Sequence, residues 1–396
     1  MNTAMPLSRA DLGTMLRLVR VLHRLYHCPA YRRRLAAELP AVARFDPGHE
    51  AVMMGYDFHL TTHGPRLIEV NTNAGGALLA WRASHPAWPA PPGGRADRRL
   101  QTLLATFDQE MSLFSRGARR HPARVIILDE APEQQFLAEE MRVLCTLFAA
   151  RGVEAALADP GELQMDAGGV HWHGRRVDLI YNRHCDFYLD STPLAGLRAA
   201  YLAGQVCLTP NPHVYGLLAD KRRMILWSDE TERGALGLTD REQAILHSVV
   251  PRCHLLGRMD PAQVWAERKR WVFKPVTAFG SRGVLLGDSL SRQRFQTLDS
   301  ATTLVQRFIP PSAVPERGMK MDWRLFVYRN RLLGVAPRLY RGQVTNFREP
   351  GSGYAPVRLI PKKVSATLCP VPDENGNMPK VGQGMYDDLD RRCVPG

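Results

Sequence analysis

The chain has 396 residues, 45% hydrophobic and 23% charged, the composition expected of a globular protein with two or three domains or lobes. It has no run of 18 apolar residues, which excludes a membrane-spanning helix, and arginines interrupt its first apolar stretch, which argues against a secretory signal. The formal charge of +13 fits nucleic acid, an anionic membrane or anionic small ligands, with a solvated Arg-rich surface as the alternative that would account for most of the excess; without a long basic tract or an aromatic–basic signature, nucleotide phosphates and carboxylates are the more economical ligands.

From residue 7 to 28, Leu12, Met15, Leu16, Val19, Leu22 and Leu25 recur at helical spacing, with Ser8 as N-cap. A short helix is predicted over 30–38. Residues 55–76, GYDFHLTTHGPRLIEVNTNAGG, read as strand, turn, strand and glycine loop. In such a hairpin Asp57 and Glu69 lie on neighbouring strands and on one face, which Asn71 shares two residues further on. Two carboxylates and an amide oxygen suit Mg²⁺ when water and phosphate complete its shell. The alternative is an ordinary polar hairpin.

Helices are predicted over 77–83 and 96–116, separated by the Pro- and Gly-rich breaker 86–94. Strands at 124–128, 153–157, 170–172, 177–181 and 206–209, with helices at 133–151 and 193–203, imply an open α/β layer of Rossmann-like type. It contains no G-x-G-x-x-G, so a dinucleotide site is not supported. Helices are then predicted at 213–227 and 240–249. Strands follow at 271–275, 284–287, 303–309, 321–328 and 332–340, then a polar, glycine-rich loop over 341–356. The chain from 365 onward reads as an irregular tail.

Only seven of the 52 basic residues are lysines, and none precedes Lys221. A chain this rich in Arg that keeps isolated lysines has a use for a compact ammonium. Lys274 ends a strand just before Gly280, Ser281, Arg282 and Gly283, a loop able to fold over a triphosphate and donate backbone N–H groups. The alternatives are a plain turn and a surface Lys221. Gln306, Arg307 and Phe308 could form a hinge that pairs adenine through its backbone, or simply a strand. Asp322 and Arg324 share a strand face; Arg338, Asn346 and Arg348 follow, and Arg forks grip phosphate or carboxylate. The alternative there is a hairpin with solvated arginines. The seven cysteines include no C-x-x-C pair, which suggests neither a disulfide framework nor a zinc site and points to a reducing cytoplasm. No Ser-His-Asp or Cys-His arrangement is apparent; His184, Cys185 and Asp186 are too compressed to form one.

Taken in order, these pieces resemble the ATP-grasp superfamily: a strand Lys before a Gly-rich loop, a hinge strand, a D-x-R strand pair, an Asn near glycines, and a hairpin with Asp followed by E-x-N. The hairpin stands first here, whereas it is last in most members. The layout resembles a circularly permuted ATP-grasp protein similar to eukaryotic glutathione synthetase and glutathionylspermidine synthase. The resemblance implies an α/β (α+β) ATP-grasp fold with a Rossmann-like pre-ATP-grasp domain. Residues 1–95 would hold the N-terminal helices and permuted hairpin, 96–212 the Rossmann-like domain, 213–364 the ATP-grasp lobes and 365–396 the tail.

By the same resemblance Asp57, Glu69 and Asn71 hold Mg²⁺ (or Mn²⁺), and Lys221 and Lys274 bind the phosphates of ATP under the lid Gly280, Ser281, Arg282 and Gly283. Gln306, Arg307 and Phe308 form the hinge, and Arg324, Arg338, Asn346 and Arg348 stabilise the transferred phosphoryl group. The acid expected near the ribose is not evident; Glu316 is the nearest. The implied activity is ATP-dependent carboxylate–amine ligation through an acyl phosphate. A phosphotransferase and a non-catalytic nucleotide-binding scaffold are the alternatives. Expected partners are small-molecule carboxylates and amines and a second copy of the chain in a homodimer, with no nucleic acid and no membrane.

Overall fold

The first long helix, Arg9–His27, begins at the cap read from the sequence: the Ser8 hydroxyl accepts the Asp11 backbone N–H at 2.9 Å. Its stripe of Met15, Val19, Leu22 and Leu25 is buried in one core with Tyr56, Phe58, Trp323 and Leu325 of the central sheet. This computed structural model describes residues 4–85, 95–277, 283–314, 317–347 and 349–361. The 86–94 breaker, Gly280, Ser281, Arg282, Glu316, Arg348 and the tail from 365 lie outside the described residues.

The central sheet has six strands. Gly353–Tyr354 pairs with Arg331–Tyr340, then come Met319–Tyr328, Met54–Thr61 and Gly64–Asn71, and Ser312–Val314 also pairs with Met319–Tyr328. Asp57 and Arg324 are thus register partners although 267 residues apart. Strand alternation sorts the faces. Trp323, Leu325 and Val327 join the core under the first helix, whereas Phe326 and Tyr328 join a second core with Val125, Ile127 and Phe107.

That second core lies against an all-parallel sheet in the order Cys207–Thr209, Leu179–Asn182, Arg124–Leu128, Glu154–Ala158. Helices Ala138–Ala149 and Ala195–Leu202 alternate with its strands, giving the open α/β layer the sequence predicts. A third sheet is antiparallel: Cys253–Leu255, Thr303–Arg307, Trp271–Pro275, Leu285–Leu286. One of its faces buries Phe273 and Val305 in a small core of its own, and the other carries Lys274, Leu304 and Gln306.

Two elements depart from the sequence reading. The helix predicted over 213–227 is interrupted: a π-type turn, Tyr215–Ala219, ends at Asp220, and helix resumes at Arg223–Ser228. Asp220 makes the break. Its Oδ1 accepts both the backbone N–H and Nε of Arg222, an arrangement local to a turn. The two-stranded parallel pairing of Met5–Ser8 with Val357–Ile360 has no sequence signal, because four residues carry no readable period. Among the described residues no helix is long and apolar enough to cross a membrane.

Candidate functional site

The site is built around a bulge. Asp57 pairs with Glu69, but the next pair is Phe58 with Leu67, so Ile68 has no partner of its own across the ladder. Its carbonyl accepts instead from Lys274 Nζ at 3.1 Å and from Gln306 Nε2 at 3.3 Å. Those two side chains leave the third sheet on one face, since Val272 pairs with Gln306 and Lys274 with Leu304. The Glu69 strand and the Lys274 strand therefore meet at the bulge. Burial pushes the Lys274 ammonium below its usual range, and the charge of Glu69 opposes that push. The charge of Lys221 adds to the push of burial. Lys221 is held in the turn that Asp220 creates.

On the adjoining strands, carboxylates and guanidinium groups interlock. Arg324 grips Asp57 with both arms, Nε to Oδ1 at 2.7 Å and Nη2 to Oδ2 at 2.6 Å. Arg338 grips Asp322 likewise, at 2.6 and 3.0 Å, and its Nη2 also lies 3.0 Å from Asp57 Oδ2. Thr345 donates its hydroxyl to Asp322, tying the loop that holds Asn346 to this cluster. Burial alone would raise the Asp57 pKa, but the charges of Arg324 and Arg338 outweigh it and hold the carboxyl at about 2.

Asn71 Nδ2 donates to Asp57 Oδ2 at 3.1 Å and to Glu69 Oε1 at 3.2 Å. That NH₂ stands where a cation would sit if the amide turned its oxygen inward. Glu69 and Asn71 therefore fit a magnesium ion. Asp57 fits less directly: its Oδ2 already faces three N–H groups, which leaves the second lone pair of Oδ1.

The glycine loop after the hairpin is pinned from three sides. Glu140 accepts the backbone N–H groups of Gly76 and Leu78 at 2.7 and 2.9 Å. Arg324 Nη1 and the Tyr354 hydroxyl both donate to the Gly75 carbonyl. Gly76 has φ 93°, and a Cβ there would overlap the Tyr354 hydroxyl. Gly76→Ala is expected to cost about 1–3 kcal/mol from backbone strain alone, read as a lower urea midpoint. An unchanged midpoint would mean that this loop is not held as described.

The remaining expected site residues are placed unevenly. Gly283 is the one described member of the Gly280–Gly283 loop, with φ 71°. Gln306 packs its side chain against Ile68 and Met224. In the expected hinge, the backbone N–H groups of Arg307 and Phe308 donate to the Arg252 and Arg270 carbonyls, both at 2.8 Å. Those two positions have no N–H donor left for adenine. Sequence patterns assign no role to Glu140 and do not show the aromatic group beside the Gly64–Asn71 strand. There Phe187 stacks on Tyr215 with centroids 4.3 Å apart, and the Tyr188 hydroxyl donates to Asp220 at 2.7 Å.

The sequence matches no protein-family model and no curated protein. Solved structures share its fold. The apo form of a glutathione synthetase-like effector from Globodera pallida overlaps 90% of this chain and 89% of its own, at TM-score 0.53 and 12% identity. A putative gamma-glutamylcysteine synthetase from Methylobacillus flagellatus KT overlaps 90% of each chain, at TM-score 0.50 and 12% identity. The ATP-grasp ligase PsnB with its minimal precursor overlaps 60% of this chain and 77% of its own, at TM-score 0.36 and 17% identity, too partial a match to argue from. The chain has an ATP-grasp-like fold.

Proposed function

We propose that this ATP-grasp-like chain is a ligase that uses ATP and Mg²⁺ (or Mn²⁺) to join a carboxylate to an amine. The observation that carries this reading is that Lys274 reaches the Ile68 bulge beside Glu69 and Asn71, with the charge of Lys221 felt at the same ammonium. Two compact ammonium groups beside a hard oxygen donor set suit a magnesium-bound polyphosphate. In this reading Glu69 and Asn71, with Oδ1 of Asp57, hold the ion, which when bound would neutralise phosphate charge. Lys221 and Lys274 hold the phosphates beneath Gly280–Gly283. Arg324 and Arg338, with Asn346 and Arg348, face the transferred phosphoryl group.

The chemistry is a two-step exchange. A carboxylate oxygen of the acid substrate attacks the γ-phosphorus of ATP and ADP leaves. The amine then attacks the acyl carbon and inorganic phosphate leaves. The protein contributes positioning and charge, not a nucleophile. Asp57 and Asp322 hold the two arginine forks in place before substrate arrives, so little reorganisation is needed as charge develops. Circular permutation belongs to the same proposal. It is supported by the E-x-N hairpin lying beside strands 319–340, and by the pairing of Met5–Ser8 with Val357–Ile360. A cytoplasmic location is likewise proposed.

The deciding experiment is a phosphate-release screen of amino acids, polyamines and short peptides, with mass spectrometry of the product. An amide plus ADP supports the ligase. A phosphoester would make the chain a phosphotransferase, and tight Mg²⁺-ATP binding with no product from any acceptor would make it a scaffold. Lys274→Ala is expected to weaken ATP binding by about 10- to 100-fold, the loss of a hydrogen bond to a charged group. An unaltered dissociation constant in calorimetry would remove Lys274 from the site.

A further inference from the structure

A second cluster of ligating side chains lies apart from the Ile68 bulge. His23 and His27 sit one turn apart on the helix Arg9–His27, so both rings leave the same face. Glu50, four residues before the Asp57 strand, meets them there. The three side chains converge, with Glu50 offering a different oxygen to each ring: His23 Nε2 to His27 Nε2 is 3.3 Å, His23 Nε2 to Glu50 Oε2 is 3.4 Å, and His27 Nε2 to Glu50 Oε1 is 3.3 Å, and one ligand atom from each residue lies within 4.8 Å of the other two. Tetrahedral zinc, with bonds of about 2.0–2.2 Å, needs ligand-to-ligand edges of about 3.3–3.6 Å.

The surroundings match as well. The Glu50 side chain is 7% exposed and that of His23 16%, while that of His27 is 45% exposed. The cluster is thus closed at Glu50 and open to solvent at His27, where water can complete a coordination shell. Arg329 Nε donates to Glu50 Oε1 at 2.8 Å and fixes the carboxylate, as outer partners of metal ligands do. Two imidazoles and a carboxylate suit Zn²⁺, Co²⁺ or Ni²⁺, whereas Mg²⁺ prefers an octahedron of oxygens.

We propose that His23, His27 and Glu50 form a binding site for a zinc-class divalent ion, separate from the nucleotide site. The ion joins the first helix to the segment that enters the Asp57 strand. It also reaches the Arg329 turn that ends the Arg324 strand. Its role is to tie these elements together.

The test uses the full chain without a tag, stripped with chelator and titrated with Co²⁺ and Zn²⁺. The expected result is one equivalent of Co²⁺ with the visible absorption of a tetrahedral site, displaced by Zn²⁺. The melting temperature should rise with added Zn²⁺. His27→Ala, at a half-exposed position, should fold normally by circular dichroism and lose the Zn²⁺-dependent rise. Its affinity should fall by at least the roughly 10- to 100-fold that loss of a ligand's hydrogen-bond partner costs. Glu69→Gln should bind Zn²⁺ as the wild type does. Three results would overturn the site: no saturable binding at micromolar metal, unchanged affinity in His27→Ala, or loss of binding in Glu69→Gln. The cluster would then be an ordinary His–Glu ion pair.

Discussion

Glu69→Gln is expected to lower Mg²⁺-dependent ATP turnover by about 10²–10³-fold or more, the loss typical of removing one charge-stabilising group from an active site, while leaving the fold intact. The substitution keeps the shape of the side chain and removes its charge. The Asn71 amide still finds an acceptor, because a glutamine oxygen takes the place of Oε1. A hard cation loses its charged ligand. Lys274 also loses the charge that opposes its burial, so its ammonium is held less firmly. ADP formation measured against Mg²⁺ concentration, beside a urea melt, checks both halves. Full turnover at ordinary Mg²⁺ would remove Glu69 from the metal assignment. A large drop in stability would make it a structural residue.

The sequence made part of this site legible. Alternation around the His63–Gly64–Pro65 turn put Asp57 opposite Glu69, with Asn71 two residues on, and the register agrees. Alternation also put Asp322 and Arg324 on one face. A strand pattern cannot show where the count slips by one, so the Ile68 carbonyl, which receives Lys274 and Gln306, was invisible. Partners from distant strands were equally hidden. Nothing near residue 57 says that its carboxylate meets arginines from strands 319–328 and 331–340, and nothing near residue 76 predicts capping by Glu140. The helix over 213–227 was over-read because apolar spacing continues through Asp220, whereas the backbone follows that residue's side-chain hydrogen bonds. The strand's hydrogen bonding was hidden for a related reason. A strand's composition does not reveal that its N–H groups are already paired to carbonyls at residues 252 and 270.

Asp57 is where structure and chemistry compete, and the second large effect is expected there. Its side chain is fully buried and serves as counter-ion to Arg324 and, at one oxygen, to Arg338. Asp57→Ala leaves those guanidinium groups short of a charge partner inside the protein, a loss of about 3–5 kcal/mol. It should appear as a lower urea midpoint with an unchanged slope. Acid gives an independent reading of the same contact. The folded-state pKa of about 2 lies below the 3.8 of an ordinary aspartate, so this stabilisation is fully present above pH 4 and is lost as pH falls through about 2. The wild type should therefore lose roughly 2 kcal/mol across that window that Asp57→Asn, having no charge there, does not lose. If Asp57→Ala were as stable as the wild type but inactive, the carboxylate would be a metal ligand first and an arginine anchor second. If stability and turnover fall together while Glu69→Gln loses turnover alone, the division of labour is the reverse. Glu69 and Asn71 would then address the ion, and Asp57 would hold the arginines that face the substrate.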